Sequence, residues 1–392
     1  MNSPHLDRVE RPRIRSVDLL RGLIIIIMAL DHVRDYWSIT SFDPLDASQT
    51  TFAYGFTRWI THFCAPVFIL LAGTSAFLYA HARQASKAHL ARFLVTRGLW
   101  LMFIEITVVS FSWQFAYQAV FLQVIWVIGL SMIVLAGLIF LPRRVVGLIG
   151  LALIFLHNLF DGIAPGDGLS GALWSILHVP SFSPVGESSA IPGIFLVYPL
   201  IPWAGVMALG YAAAPILLKP AGERDRILYL TGAAAIALFL VLRGFNLYGD
   251  PGAWAVQDSF AMSVVSFVNV LKYPPSLQFL LMTLGPALLL IPLLEKWSGA
   301  WADRVSVFGK VPFFFYVIHI PFVHATAWLW QIIQYGDIME MFFDPSTWPE
   351  EYAPNLLRAY IAWASTIFIL YWPCKWFAGL KKRRKDWWLS YL

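Results

Sequence analysis

Runs of roughly twenty apolar residues recur along this 392-residue chain, separated by short polar stretches in which arginine and lysine collect. No other feature narrows the fold as far. In lipid a segment must satisfy its own backbone polar groups, which leaves helices or a closed barrel. Runs of this length without an alternating period specify helices. Composition matters here for one exclusion: with 59% hydrophobic and 13% charged residues, too little polar surface remains for a soluble domain of this size. The expected fold class is therefore an all-α, polytopic integral membrane bundle.

About ten spans are expected, at roughly 17–37, 52–80, 92–113, 117–141, 144–160, 191–217, 227–244, 276–296, 311–334 and 356–379. They divide the chain into an N-terminal segment 1–16, a transmembrane domain 17–380 and a basic tail 381–392. The apolar stretch 256–272 is short and precedes Pro274 and Pro275, so it reads as a re-entrant or interfacial helix. The outer loop 161–190, rich in Gly, Pro and Ser, reads as ordered loop or short helix. The first run ends in DHVRDYW, with no small-residue cleavage site, and so reads as a retained span rather than a signal peptide.

Charge orients this array. With the N-terminus inside and the spans alternating, 22 of the 28 basic residues fall on the inner side. Arg34, Arg58, Arg243, Lys272 and Arg358 fall on or near the outer side, where acids such as Asp43, Asp161 and Asp337 gather. The asymmetry places both termini in the cytoplasm. Basic residues scattered between apolar runs are a topology signal and not a nucleic-acid footprint. Cys64 and Cys374 lie at opposite ends of their spans, out of disulfide reach, and no metal-ligand pattern appears.

Ionisable residues within spans are costly and mark the place to look for chemistry. In the first span, SVDLLRGLIIIIMALDHVRDYW, Arg21 and His32 share a face about 16 Å apart along the axis. Asp18 and Arg21 cluster at one end; Asp31, His32, Arg34 and Asp35 cluster at the other. His32 is the best catalytic candidate, because an imidazole can take a proton near neutrality and return it. Asp35, one turn on, is placed to orient its ring, with Asp31 adjacent. Interfacial anchoring explains such charges equally well, and Arg21 could snorkel to the surface.

In span two Arg58 and His62 lie one turn apart, and the short loop 38–51 brings them close to His32. Glu105 is buried in span three and needs a partner; Arg97, Gln114 or the site itself are the alternatives. His319 and His324 share a face of span nine, though such histidines more often serve packing. His157 and His178 have no sequence partner and read as structural. No Walker-type loop, GxSxG or HExxH occurs, which removes ATP-driven transport, α/β-hydrolase and zincin chemistry from consideration.

The segments RSVDLLRGLIIIIMALDHVRDYW and FTRWITHFCAPVFILLAGTSAFL, with YPLIPWAGVMALGY, YPPSLQFLLMTLGP and FGKVPFFFYVIHI later in the chain, carry a resemblance. Together they resemble a bacterial membrane protein family similar to the catalytic domain of heparan-α-glucosaminide N-acetyltransferase. The Arg21-x10-His32 spacing also looks like the Arg/His pair of the wider transmembrane acyltransferases. The resemblance implies a bacterial inner-membrane enzyme that passes an acetyl or other acyl group from cytoplasmic acetyl-CoA to an extracytoplasmic sugar amine or hydroxyl. On that reading Arg21, Arg15 and Arg97 meet the donor phosphates, and the pantetheine arm follows the apolar stretch of the first span. His32 acts as base or acyl carrier, with Asp31 or Asp35 supporting it. Arg34, Arg58, His62, Glu105 and His319 are candidates for the acceptor side. The implied partners are acyl-CoA as co-substrate, a sugar or glycan acceptor and membrane lipid, with no bound cofactor, no metal and no nucleic acid. Exposed apolar surface is compatible with a homodimer. The competing classes are a transporter or flippase of a polar or lipid-linked solute, which would centre on a broken helix near 256–275, and a non-catalytic assembly protein keeping the same fold.

Overall fold

In the computed structural model the described residues are 14–183, 193–339, 348–384 and 386–391. Arg8, Arg11, Arg13 and Lys385, which are among the 22 basic residues expected on the inner side, and the acids Glu340 and Asp344, expected on the outer side, lie outside them, as do most of segment 1–16 and part of loop 161–190.

The chain is mostly helical. Among the described residues, seven helical segments are long and apolar enough to cross a membrane: Phe52–Arg83, Lys87–Gln114, Arg143–Phe160, Leu200–Leu218, Ala221–Gly244, Leu277–Lys296 and Pro312–Tyr335. The other three expected spans fall on α1 (Arg15–Trp37), α6 (Val124–Leu138) and α15 (Leu356–Arg383). Charges at both ends set α1 apart from the seven, α6 has only 15 residues, and Trp, Tyr and Pro lower the hydropathy of α15.

Local chemistry divides the long segments. The second segment breaks into α2 (Phe52–Thr61) and α3 (Cys64–Arg83), joined through His62 and Phe63. Thr51 caps α2 by accepting from the Tyr54 amide. The third comprises α4 (Lys87–Ile104), a π turn Glu105–Val109 and α5 (Ser110–Gln114). α7 (Arg143–Leu156) follows α6, and the short α8 (Gly168–Leu177) lies in the outer loop. Then come α9 (Leu200–Ala213), α10 (Ala221–Gly244), α11 (Phe260–Val268), α12 (Leu277–Lys296), α13 (Ala300–Lys310) and α14 (Pro312–Tyr335).

The structure corrects the all-α expectation at one place and refines the expected spans at others. Residues 119–122 (β1), 181–183 (β2) and 193–196 (β3) form a small sheet in the order β1-β3-β2, so the expected spans 117–141 and 191–217 each begin with a strand. Stretch 256–272 contains only the nine-residue α11, as its length suggested. The buried Arg243 guanidinium holds it by donating to the carbonyls of Ser266, Phe267 and Asn269, just where its last turn leaves them unsatisfied. Finally, the expected inner loop 297–310 is a helix, α13, packed along α1. The tail after 380 is also not free: α15 runs to Arg383, and the Tyr391 hydroxyl returns to Thr96 Oγ1 at 3.3 Å.

α1 sits at the centre, touching α2, α3, α12, α13, α14 and α15. Its approach to α13 is close enough that a Cβ on Gly309 would lie 1.8 Å from the Asp18 carbonyl oxygen. Gly98 and Gly129 pack against each other's carbonyls in the same way where α4 meets α6. Small residues at such crossings let backbones meet where lipid supplies no hydrophobic drive between helices. Gly309→Val is therefore expected to separate α13 from α1. The check is the melting temperature of the purified protein in detergent, which should fall or be replaced by aggregation; an unchanged melt would show that this crossing tolerates the added bulk.

Candidate functional site

At one end of α1 the Arg21 guanidinium is held in place. It donates to Ser75 Oγ at 2.8 Å and to the Gly309 carbonyl at 3.2 Å, and it lies 3.4 Å from Asp18 Oδ1. Ser75 on α3 and Gly309 on α13 were invisible as partners in the sequence, because each is more than fifty residues away. The Gly309 contact depends on the absent side chain described above.

Arg21 faces a cavity of about 710 Å³ lined by residues of α1, α3, α4, α6 and α14. Arg83, Arg97 and Lys381 join Arg21 in its wall, so this end is basic. The rest is apolar or weakly polar, with Phe68, Leu101, Ile128 and Met132 among the lining residues. Met28 and Tyr316 also line it. Met28 is one helical turn before His32, and the Tyr316 ring lies edge-on 6.3 Å from the His32 ring. Arg97 thus lines the same cavity as Arg21. Arg15 does not line it; its guanidinium pairs with Asp303 at 3.0 Å on the surface, both side chains well exposed.

At the other end, His32 is half-buried between Trp113, whose ring meets it edge-on at 5.0 Å, and His319, whose ring stacks on it at 5.0 Å. His32 Nδ1 and His319 Nε2 are 2.7 Å apart. The proton positions follow from the acceptors available. His319 Nδ1 faces the carbonyls of Tyr316 at 2.7 Å and Phe315 at 3.0 Å, which can only accept, so Nδ1 carries the hydrogen. In neutral His319, Nε2 then has a lone pair, and His32 Nδ1 must donate to it. His32 is left with its lone pair on Nε2, the atom away from His319.

The aspartates thought to orient His32 are engaged elsewhere. Arg58 Nη1 donates to both Asp31 oxygens at 2.7 and 3.0 Å, Thr61 Oγ1 donates at 2.9 Å, Arg34 pairs at 2.9 Å, and Lys272 approaches to 3.9 Å. Asp35 pairs with Arg34 at 2.7 Å. The ring partner of His32 is His319, from a helix 287 residues away. The face shared by His32 and Asp35 in α1 is real, but Arg34 lies between Asp31 and Asp35 and takes both.

The remaining acceptor-side candidates separate. Arg34 and Arg58 belong to the Asp31 cluster. His62 is buried, donates from Nδ1 to the Arg58 carbonyl at 2.7 Å and packs on Phe279, so it supports the helix break rather than sharing a cleft with His32. Glu105 bonds neither Arg97 nor Gln114. Its Oε1 accepts from the Gln123 amide at 3.3 Å, and the carboxyl group faces the amides of Ile125 and Trp126 at the start of α6. His324 donates to the Ser112 carbonyl at 2.9 Å and stacks on Phe115, a packing role.

Thr61, Ser75 and Trp113, which contact Asp31, Arg21 and His32, had no sequence signal of their own. Lys272 had one in retrospect, as one of few basic residues on the acidic side of the chain. Tyr316, one turn before His319, shares its helical face, a second available hint.

A family model described as "Heparan-alpha-glucosaminide N-acetyltransferase, catalytic" matches residues 13–246, more than half of the chain. The match contains α1 with Arg21, Asp31 and His32, the Asp31 partners on α2, and the α3, α4 and α6 walls of the cavity. The chain belongs to this family of membrane acetyltransferases, and it is an integral membrane protein. No curated protein matches it.

Proposed function

For this member of the family, we propose acetyl transfer from acetyl-CoA, bound through the basic end of the cavity, to a sugar amine or hydroxyl that reaches His32 from the opposite side of the membrane. The observation that carries the proposal is the cavity itself: it is lined by four cations and also by Met28 and Tyr316, and Tyr316 in turn neighbours His32, which stands just behind the wall rather than in it. Guanidinium groups suit phosphate recognition, and Lys381 adds a further charge. The rise of α1 between Arg21 and His32, about 16 Å, suits an extended pantetheine arm.

In this mechanism His32 Nε2 takes a proton from the acceptor as its nitrogen or oxygen attacks the thioester carbonyl. The tetrahedral intermediate collapses by breaking the carbon–sulfur bond. The protonated His32 returns its proton to the thiolate, giving the acetylated acceptor and free CoA. His319 is a positioning residue that selects the reactive tautomer of His32. The Asp31 cluster fixes the end of α1 against α2. The proposal includes ten spans, both termini in the cytoplasm and a bacterial inner-membrane location, which the basic-residue asymmetry supports.

Calorimetric titration of acetyl-CoA into purified wild type, Arg21→Ala and His32→Ala tests the donor half. Micromolar binding to wild type and His32→Ala, weakened at least tenfold by Arg21→Ala, is expected. A folded wild type that binds no acetyl-CoA would remove the acyl-donor reading and favour solute transport.

His319→Ala is expected to lower the transfer rate roughly 10- to 100-fold while leaving the KM for acetyl-CoA unchanged, because it frees the His32 ring without touching the donor cavity. Steady-state kinetics on membranes or purified protein provides the check. A rise in KM with an unchanged rate would assign His319 to binding instead.

A further inference from the structure

Away from the His32 site, the end of α7 and the helix α8 bring together three residues that were unrelated in the sequence. His157 closes α7, Asp161 follows four residues later, and His178 caps the end of α8. One ligand-capable atom from each lies within 4.8 Å of the others. His178 Nε2 meets Asp161 Oδ1 at 3.0 Å, and the two imidazole rings stand edge-to-face at 5.7 Å. Both histidines are 1% exposed. Neither ring nitrogen of His157, nor Nδ1 of His178, has a hydrogen-bond partner among the described residues.

A buried imidazole with both nitrogens unmatched is unusual, because each desolvated polar group costs free energy unless something binds it. Two imidazoles and a carboxylate converging on one point are the donor set that a borderline divalent ion takes. We propose that His157, Asp161 and His178 form a zinc site, with water completing the tetrahedron on the side where Asp161 is open to solvent. Bonds of about 2.0–2.1 Å would space the ligand atoms about 3.3 Å apart, so closing the cluster on the ion needs small side-chain shifts.

The surroundings are those of a metal centre. Asp161 Oδ2 accepts from Asn158 Nδ2 at 2.9 Å, and Asn158 Oδ1 accepts from the Leu277 amide at 2.9 Å. A ligating carboxylate is thereby oriented by a neighbour that also fixes the first residue of α12. Lys272 of the Asp31 cluster lies in the segment just before that helix. The ion would brace the ends of α7 and α8 against the start of α12. The proposal stands independently of acetyl transfer.

The test uses full-length, tag-free protein in detergent, stripped with a chelator and titrated with zinc chloride. Expected are one zinc per chain, a zinc-dependent rise in melting temperature, and at least tenfold weaker binding in Asp161→Asn and in His178→Gln. X-ray absorption at the zinc edge of the loaded wild type should read two imidazoles in the first shell, which keeps the test decisive if a variant fails to fold. A folded wild type that takes up no zinc, variants that bind as wild type does, or an edge spectrum without imidazole would each overturn the site.

Discussion

His32→Ala should lower acetyl transfer by about a thousandfold, within the range that general acid–base catalysis supplies, while acetyl-CoA binds with unchanged affinity. The reason is geometric. In the proposed mechanism the base is one atom, Nε2, and its lone pair exists because His319, tied through its own Nδ1 to the Phe315 and Tyr316 carbonyls, accepts from the opposite nitrogen of the His32 ring. Arg21 and the other cations are at the far end of the cavity, so losing the imidazole leaves donor recognition in place. Single-turnover transfer from radiolabelled acetyl-CoA, with binding measured in parallel, separates the two effects. A variant that retains more than a tenth of the wild-type rate would mean that His32 is not the base. Loss of rate and of donor affinity together would move His32 from chemistry to binding.

Asp31→Ala is expected to destabilise the folded protein by about 3–5 kcal/mol, the usual consequence of removing one partner from a buried ion cluster. Asp31 is 8% exposed and is surrounded by Arg34, Arg58 and Lys272, with Thr61 as a further donor. Without its carboxylate, Asp35 alone faces this group of charges, and Asp35 already pairs with Arg34. The repulsion left behind falls on the junction of α1 with α2 and on the segment leading into α12. Thermal unfolding in detergent, read by tryptophan fluorescence, should show a markedly lower midpoint or little folded material. A midpoint equal to wild type would show that water or lipid headgroups solvate the cations. Full specific activity in the folded fraction of Asp31→Asn would assign Asp31 to the scaffold and leave proton transfer to the two histidines.

Much of the helical architecture is legible in the sequence. Apolar run length locates helices because a backbone in lipid has no alternative partner. The short stretch 256–272 was recognisable as something less than a span for the same reason. α13 was not legible, because 297–310 is polar enough to read as a loop and becomes a helix where glycine lets it lie along α1. The strands at 119–122 and 193–196 were hidden inside apolar runs whose composition suits either state.

The same division holds for the site. The sequence alone determined where on α1 the ionisable residues fall: charged residues within a span are expensive, and their spacing on a 3.6-residue period puts Arg21 and His32 on one face. It also singled out Arg97, which the fold brings to the same cavity wall as Arg21. Tertiary structure decided who pairs with whom. A carboxylate next to a histidine in sequence goes to whichever cation the packing delivers, so Asp31 went to Arg58 and Arg34, and the histidine found His319. Hydrogen bonds and ion pairs act over about 3–4 Å, whereas sequence separation says nothing about distance once a chain crosses the membrane many times. Helical period fixes which residues share a face; only the packing of the helices fixes which faces meet.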